Sequence, residues 1–239
     1  MDPLFVVFEG VDRCGKGAQS ELLRQRLASL GLSVKAYWTP DRRTAAGELA
    51  GHLLRGQVEL AGNESTRRAE ALALQCLLTC CRYEVAARVR ADLVADTSVV
   101  CARWWPSAVV YAGEDGLDAE VIRAHSSFLP EPDLYVLLDV VPVTIAGRFD
   151  PGERYEAKVE VQERLADGYR RLWADRAAVL PGKWVVVNAG REPAAVADQV
   201  WSKVWPLRSE LAESRQLRFE LPRSGCRPPR RGVTGGESG

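Results

Sequence analysis

Apolar positions follow two rhythms along the chain: short unbroken runs, and stretches with an apolar residue every third or fourth place. Runs at 4–8, 97–102, 134–139 and 184–187 predict strands, and 33–38 adds another. Runs without polar alternation suit strands covered on both faces. Helical periodicity marks 16–30, 45–56, 64–95 (through Ala71, Leu74, Leu77, Leu78 and Val85) and 192–205. A turn at 109–113 leads to a helix at 117–128, residues 144–148 predict a short helix, and a long charged helix opens at Glu153 and runs to 180. Gly31 reads as the stop of the first helix, and Gly56 to Gly62 as a loop. Strands alternating with helices predict an α/β fold, a five-stranded parallel sheet with helices on both faces in a three-layer sandwich. This domain spans 1–205. The tail, 206–239, carries Pro-Pro, Gly-Gly and scattered Arg, and is expected to be disordered after at most one helical turn at 209–217.

The first strand runs into a glycine-rich loop with helical sequence directly behind it. Gly10, Gly15 and Lys16 fit the first seven positions of G-x-x-x-x-G-K-[ST]. Such a loop turns backbone N–H groups and a helix N-terminus toward phosphate oxygens. Glycine admits the backbone close to the phosphate, and the lysine adds a point charge. We therefore expect phosphate to be held by Gly10, Val11, Asp12, Arg13, Cys14, Gly15, Lys16 and Gly17, which the resemblance given below makes the phosphates of ATP. Position eight, Gly17, carries no hydroxyl for a magnesium ion.

Lys plus Arg and Asp plus Glu each number 32, so the formal net charge is zero. That balance speaks against a nucleic acid or a polybasic membrane contact as the main partner. No apolar run nears the roughly 18 residues of a membrane span, and the start of the chain has no basic leader. The six cysteines contain no C-x-x-C pair and are accompanied by two histidines, which makes zinc improbable. A reducing cytoplasmic setting is expected, with nucleus or organelle also compatible. Arg42 and Arg103 follow the carboxyl ends of strands, where open α/β sheets place their ligands.

Four segments taken in order, Phe8–Lys16, Pro40-Asp41-Arg42, Arg82-Tyr83-Glu84 and Glu153-Arg154-Tyr155-Glu156, resemble the thymidylate kinases of the P-loop nucleoside-monophosphate kinase group. Arg103-x-x-x-Ser107-x-x-x-Tyr111-x-Gly113 matches a fifth family segment apart from its lead residue. The resemblance covers 4–205. It implies transfer of a phosphoryl group from ATP, with Mg²⁺, to dTMP on the route to dTDP and dTTP, and a homodimer. It implies catalytic roles for Arg13, Lys16, Arg103 and Arg154. The acceptor monophosphate would meet Asp12 at its 3′-hydroxyl, Arg42 and Arg103 at its phosphate, Arg82 at the thymine edge, and Leu78, Ser107, Tyr111 and Tyr155 around base and sugar. Residues 148–156, with Arg148 at their head, would form a short lid over ATP.

The chain departs from that pattern at three places. Ala102 stands where the family has an Asp that helps hold magnesium, Gly17-Ala18 replaces Ser-Thr, and Leu78 replaces a Phe that stacks on thymine. Glu9, acting through water, is then the candidate magnesium contact, with Asp139 beside it. Removing one preorganised electrostatic partner costs on the order of 10²–10³ in rate. Losing an aromatic stack costs roughly 1–3 kcal/mol of binding. Two other readings therefore stand beside an active dTMP kinase: a catalytically weak or inactive nucleotide-binding relative, and a kinase with an altered acceptor.

Overall fold

Five parallel strands form the middle layer in the order β2-β3-β1-β4-β5. They are β1 (Phe5–Glu9), β2 (Val34–Trp38), β3 (Ser98–Ala102), β4 (Leu134–Asp139) and β5 (Trp184–Asn188). This computed structural model describes residues 3–57, 67–180 and 183–220, with backbone alone over 209–220. Every residue of β1 and β3 is buried, whereas the edge strands β2 and β5 are partly open. Phe8 pairs with Ala102 on one side and Val136 on the other, which brings the carboxyl ends of the central strands together.

On one face α1 (Lys16–Ser29) packs with α7 (Pro193–Glu220); on the other lie α3 (Arg67–Val94), α4 (Trp105–Glu114) and α6 (Val159–Val179). The smaller α2 (Ala45–Leu54) rests on α3, and α5 (Ala119–His125) on α4. An aromatic cluster fixes α4 and α6 to the sheet. Tyr135 and Trp184 stack at 4.0 Å, Trp173 meets Trp184 edge-on at 4.7 Å, and Trp105 Nε1 donates to the Tyr135 hydroxyl at 2.6 Å. Among the described residues no helix is long and apolar enough to cross a membrane.

Several predicted boundaries are corrected. Residues 109–113, expected as a turn, lie within α4, which starts at Trp105 with Pro106 in its first turn, where it gives up no hydrogen bond. Asp118 caps α5, which is shorter than the pattern suggested. Residues 153–156 form turns rather than the first turn of α6: the Arg154 N–H bonds the Leu54 carbonyl at 2.7 Å, and Glu156 accepts the Asp150 N–H at 2.7 Å. The segment expected to lose structure at 206 instead continues α7 through Pro206 to Glu220. Proline removes one donor from the ladder without ending this helix. Residues 58–66, which hold most of the expected loop and the start of the long helix, and 221–239 of the tail lie outside the described residues.

One close approach decides how α2 sits. A Cβ at Gly47 would fall 2.0 Å from the Asp41 carbonyl oxygen. Gly47→Ala is expected to lower stability by about 1–3 kcal/mol, the usual range for overpacking, as read from the urea midpoint. An unchanged midpoint would mean that the turn after β2 yields freely.

Candidate active site

The loop after β1 is folded by three left-handed residues, Gly10 (φ 141°), Arg13 (φ 56°) and Gly15 (φ 102°). A Cβ on Gly10 would meet Leu138 O at 2.7 Å and Cys14 Sγ at 2.9 Å, so only glycine fits. No side chain caps α1 at Gly15. Its first N–H groups and the positive end of its dipole are thus left for an anion. Lys16 is buried and bends back over the loop, donating to Gly10 O at 3.0 Å and Val11 O at 2.5 Å. Burial, with Arg103 close by, lowers its pKa.

Next to the loop, Asp12 and Arg103 form an ion pair. Tyr111 donates to Asp12 Oδ2 at 2.8 Å; Gln162 donates to the same oxygen at 2.9 Å and accepts the Asp12 N–H at 2.9 Å. Burial alone would raise the Asp12 pKa, but Arg103, Lys16 and these hydrogen bonds outweigh it and hold the carboxyl below its ordinary value. Arg103 also donates to Ser107 Oγ at 3.2 Å and to the Tyr111 hydroxyl at 3.1 Å. These groups wall a cavity of about 80 Å³, to which Leu78, Arg82 and Tyr155 also contribute. Arg82 is buried, donates through Nε to Trp104 O at 2.9 Å, and is pushed down to about 10 by desolvation.

Seven of the eight expected acceptor residues therefore line one cavity: Asp12, Leu78, Arg82, Arg103, Ser107, Tyr111 and Tyr155. Arg42 does not. It is half exposed and pairs at 2.9 Å with Glu153, which does line the cavity. Arg154 pairs with Asp115 at 3.2 Å, and Arg13 with Glu156 at 2.8 Å. Arg148 is exposed at the end of the 3₁₀ turn Pro142–Arg148.

Glu9, expected to meet magnesium through water, is bonded to protein donors in this arrangement. Its carboxylate is wholly buried and accepts the Trp104 N–H and the Ser107 hydroxyl, both at 2.6 Å, with the Tyr169 hydroxyl at 3.1 Å. Burial raises its pKa against those hydrogen bonds and Arg103. Asp139 is held by Arg170 at 2.9 Å. Gly17, Ala18 and Ala102 offer no side-chain oxygen at the three positions where the family pattern has one. Nor do the described residues bring together three His, Cys, Asp or Glu side chains that could hold a metal.

Gln162 and Gln75 escaped the sequence reading although a signal was present. Gln162 stands on the stripe Leu165, Ala166, Tyr169, Trp173, and Gln75 on Ala71, Leu74, Leu78; both glutamines are fully buried. A polar residue on the apolar stripe of a helix marks a group with a polar partner or a ligand.

The family model for thymidylate kinase matches residues 8–200. A thymidylate kinase from Dictyostelium discoideum is 30% identical over 202 residues, 83% of either chain. One from Desulforudis audaxviator is 32% identical over 214 residues, 85% of this chain and 91% of its own. The solved thymidylate kinase of Candida albicans shares the fold with a TM-score of 0.70 at 21% identity, over 87% of this chain and 93% of that one. By sequence over most of its length, and by fold, this chain belongs to the thymidylate kinase family.

Proposed function

We propose that the chain transfers the γ-phosphoryl group of ATP to dTMP, giving ADP and dTDP. The observation that carries this reading is the uncapped start of α1, with Lys16, opening beside a cavity lined by Asp12, Arg82 and Arg103. Phosphoryl transfer asks an enzyme mainly for positioning and for charge on the equatorial oxygens. The loop N–H groups and Lys16 hold the donor phosphates, and Lys16 exchanges the Gly10 and Val11 carbonyls for phosphate oxygens. Asp12 receives the acceptor's 3′-hydroxyl, and Arg103, already oriented by Tyr111 and Ser107, faces its phosphate. Arg42 and Arg154 join after leaving Glu153 and Asp115. Such part-exposed pairs contribute only about 0–1 kcal/mol, so the exchange is cheap. Residues 148–156 close as the lid that keeps water from taking the phosphoryl group. Mg²⁺ bound with the ATP phosphates would neutralise their charge, and among the described residues Gly17, Ala18 and Ala102 would offer it no side-chain oxygen. We assign the apolar strip beside α3, lined by Cys76, Cys80, Tyr83 and the exposed Phe128, to a second copy of the chain.

A coupled assay with dTMP, ATP and magnesium tests the reading. Turnover should depend on dTMP and fall by about 10²–10³ or more in Lys16→Met. Folded protein that binds ATP without turning over would overturn it. A second experiment addresses the missing oxygens. A Cβ at Gly17 meets nothing within 4 Å, so Gly17→Ser fits. Ala102→Asp combined with Gly17→Ser should raise turnover by about tenfold or more. An unchanged rate would mean that the oxygens at 17 and 102 contribute nothing to the transfer in this chain.

A further inference from the structure

Two polar atoms on α3 are buried against the cavity and unspent. Gln75 is fully buried, and its Oε1 has no hydrogen-bond partner among the described residues; the same holds for Nη1 of Arg82. Leaving such atoms unpaired is costly, so native proteins rarely keep them without a ligand in view. Both side chains line the same cavity, and Leu78 lies between them, three residues after Gln75 and four before Arg82. On a helix that spacing puts all three on one face. The result is an apolar floor with a hydrogen-bond acceptor toward one end and a donor toward the other.

The neighbours fix which end of the Gln75 amide is free. Nε2 lies 3.4 Å from Asp115 Oδ2 and 3.5 Å from the Tyr155 hydroxyl oxygen. The Tyr155 proton is committed to the same Asp115 oxygen at 2.6 Å. Both atoms facing the amide are therefore acceptors, and turning Oε1 toward them would set oxygen against oxygen. Nε2 stays on that side, and Oε1 is left for the cavity.

We propose that Gln75 is a specificity residue of the acceptor site, its Oε1 accepting the N3–H of a 4-oxo pyrimidine while Arg82 donates to O4. The inference rests on the dTMP reading above and names the group that reads the base edge. A 4-oxo pyrimidine presents an acceptor at O4 and a donor at N3, which matches Arg82 and Gln75 in sign. Cytosine presents a 4-amino donor and a bare N3 acceptor, so both contacts become repulsive. The pair ignores the 5-methyl group, so dUMP satisfies it as well as dTMP does. Hydrogen bonding to a buried edge discriminates far better than added apolar contact, which suits a pocket whose floor is an aliphatic Leu78.

Calorimetric titration of the full chain with dTMP, dCMP and N3-methyl-dTMP tests this without requiring turnover. Wild-type protein should bind N3-methyl-dTMP and dCMP at least about tenfold more weakly than dTMP. Gln75→Leu, of similar volume, should weaken dTMP by about tenfold and bring the dTMP to N3-methyl-dTMP ratio close to one. A wild-type ratio near one, or a ratio that Gln75→Leu leaves unchanged, would overturn the assignment while a working dTMP kinase survived. Lack of turnover with the ratios intact would instead remove the kinase reading and leave Gln75 in place. No binding of dTMP would remove both. Should Gln75→Leu fail to fold, Gln75→Met takes its place, and the wild-type ratio still decides.

Discussion

A buried carboxylate holds the site together. Glu9 ends β1 with no exposure to solvent, and a carboxylate in that position must be satisfied by donors. It takes the Trp104 N–H and Ser107 hydroxyl from the start of α4 and meets the Tyr169 hydroxyl of α6. The Ser107 N–H points at it as well, 3.4 Å away, so the carboxylate caps α4 from a different element, at the helix end where negative charge is favoured. That fixes the chain between β3 and α4, and Arg103 takes a left-handed φ of 69°. Its guanidinium then reaches Asp12, three residues beyond Glu9. Phosphate loop and acceptor cavity are thus set by one strand end.

Around this centre the positive groups fall into two classes. Arg82 and Arg103 are largely buried and oriented by several neighbours before any ligand arrives. Arg13, Arg42 and Arg154 sit nearer the surface, each joined to an acid of segment 149–158 or of the α4–α5 turn. The first class supplies preorganisation, where moving a charge is costly. Members of the second can change partners at little cost. Four of the carboxylates and carbonyls they hold now, on Glu153, Glu156, Asp150 and Leu54, tie that segment to the phosphate loop, to Arg42 and to α2.

Much of this arrangement was legible in the chain itself. Unbroken apolar runs located the strands because the central strands are buried on both faces, and the glycine spacing located the loop because Gly10 has no room for a side chain. Seven of the residues expected at the acceptor meet in one cavity because their motifs follow strand ends, face inward from α3 and α4, or sit in the turn before α6. What the pattern hid depends on tertiary partners. The chain between 153 and 156 has helical residue types, yet its N–H groups bond elsewhere. Pro206 looked like a stop, yet α7 carries on through it. Glu9 looked available to a metal until the N-terminus of α4 was found on its oxygens.

The departures from the family pattern are not spread evenly over the site. Apart from the Phe replaced by Leu78, every polar group expected on the acceptor side is present, and most are bonded to one another. On the metal side, Gly17, Ala18 and Ala102 carry no side-chain oxygen, Glu9 is spent on α4 and Asp139 is paired with Arg170. The polar groups of the cavity thus hold one another in place, whereas the departures at 17, 18 and 102 fall at the phosphate loop and the end of β3. Each missing electrostatic partner acts on the transition state far more than on the ground state, so the losses fall on turnover and spare affinity.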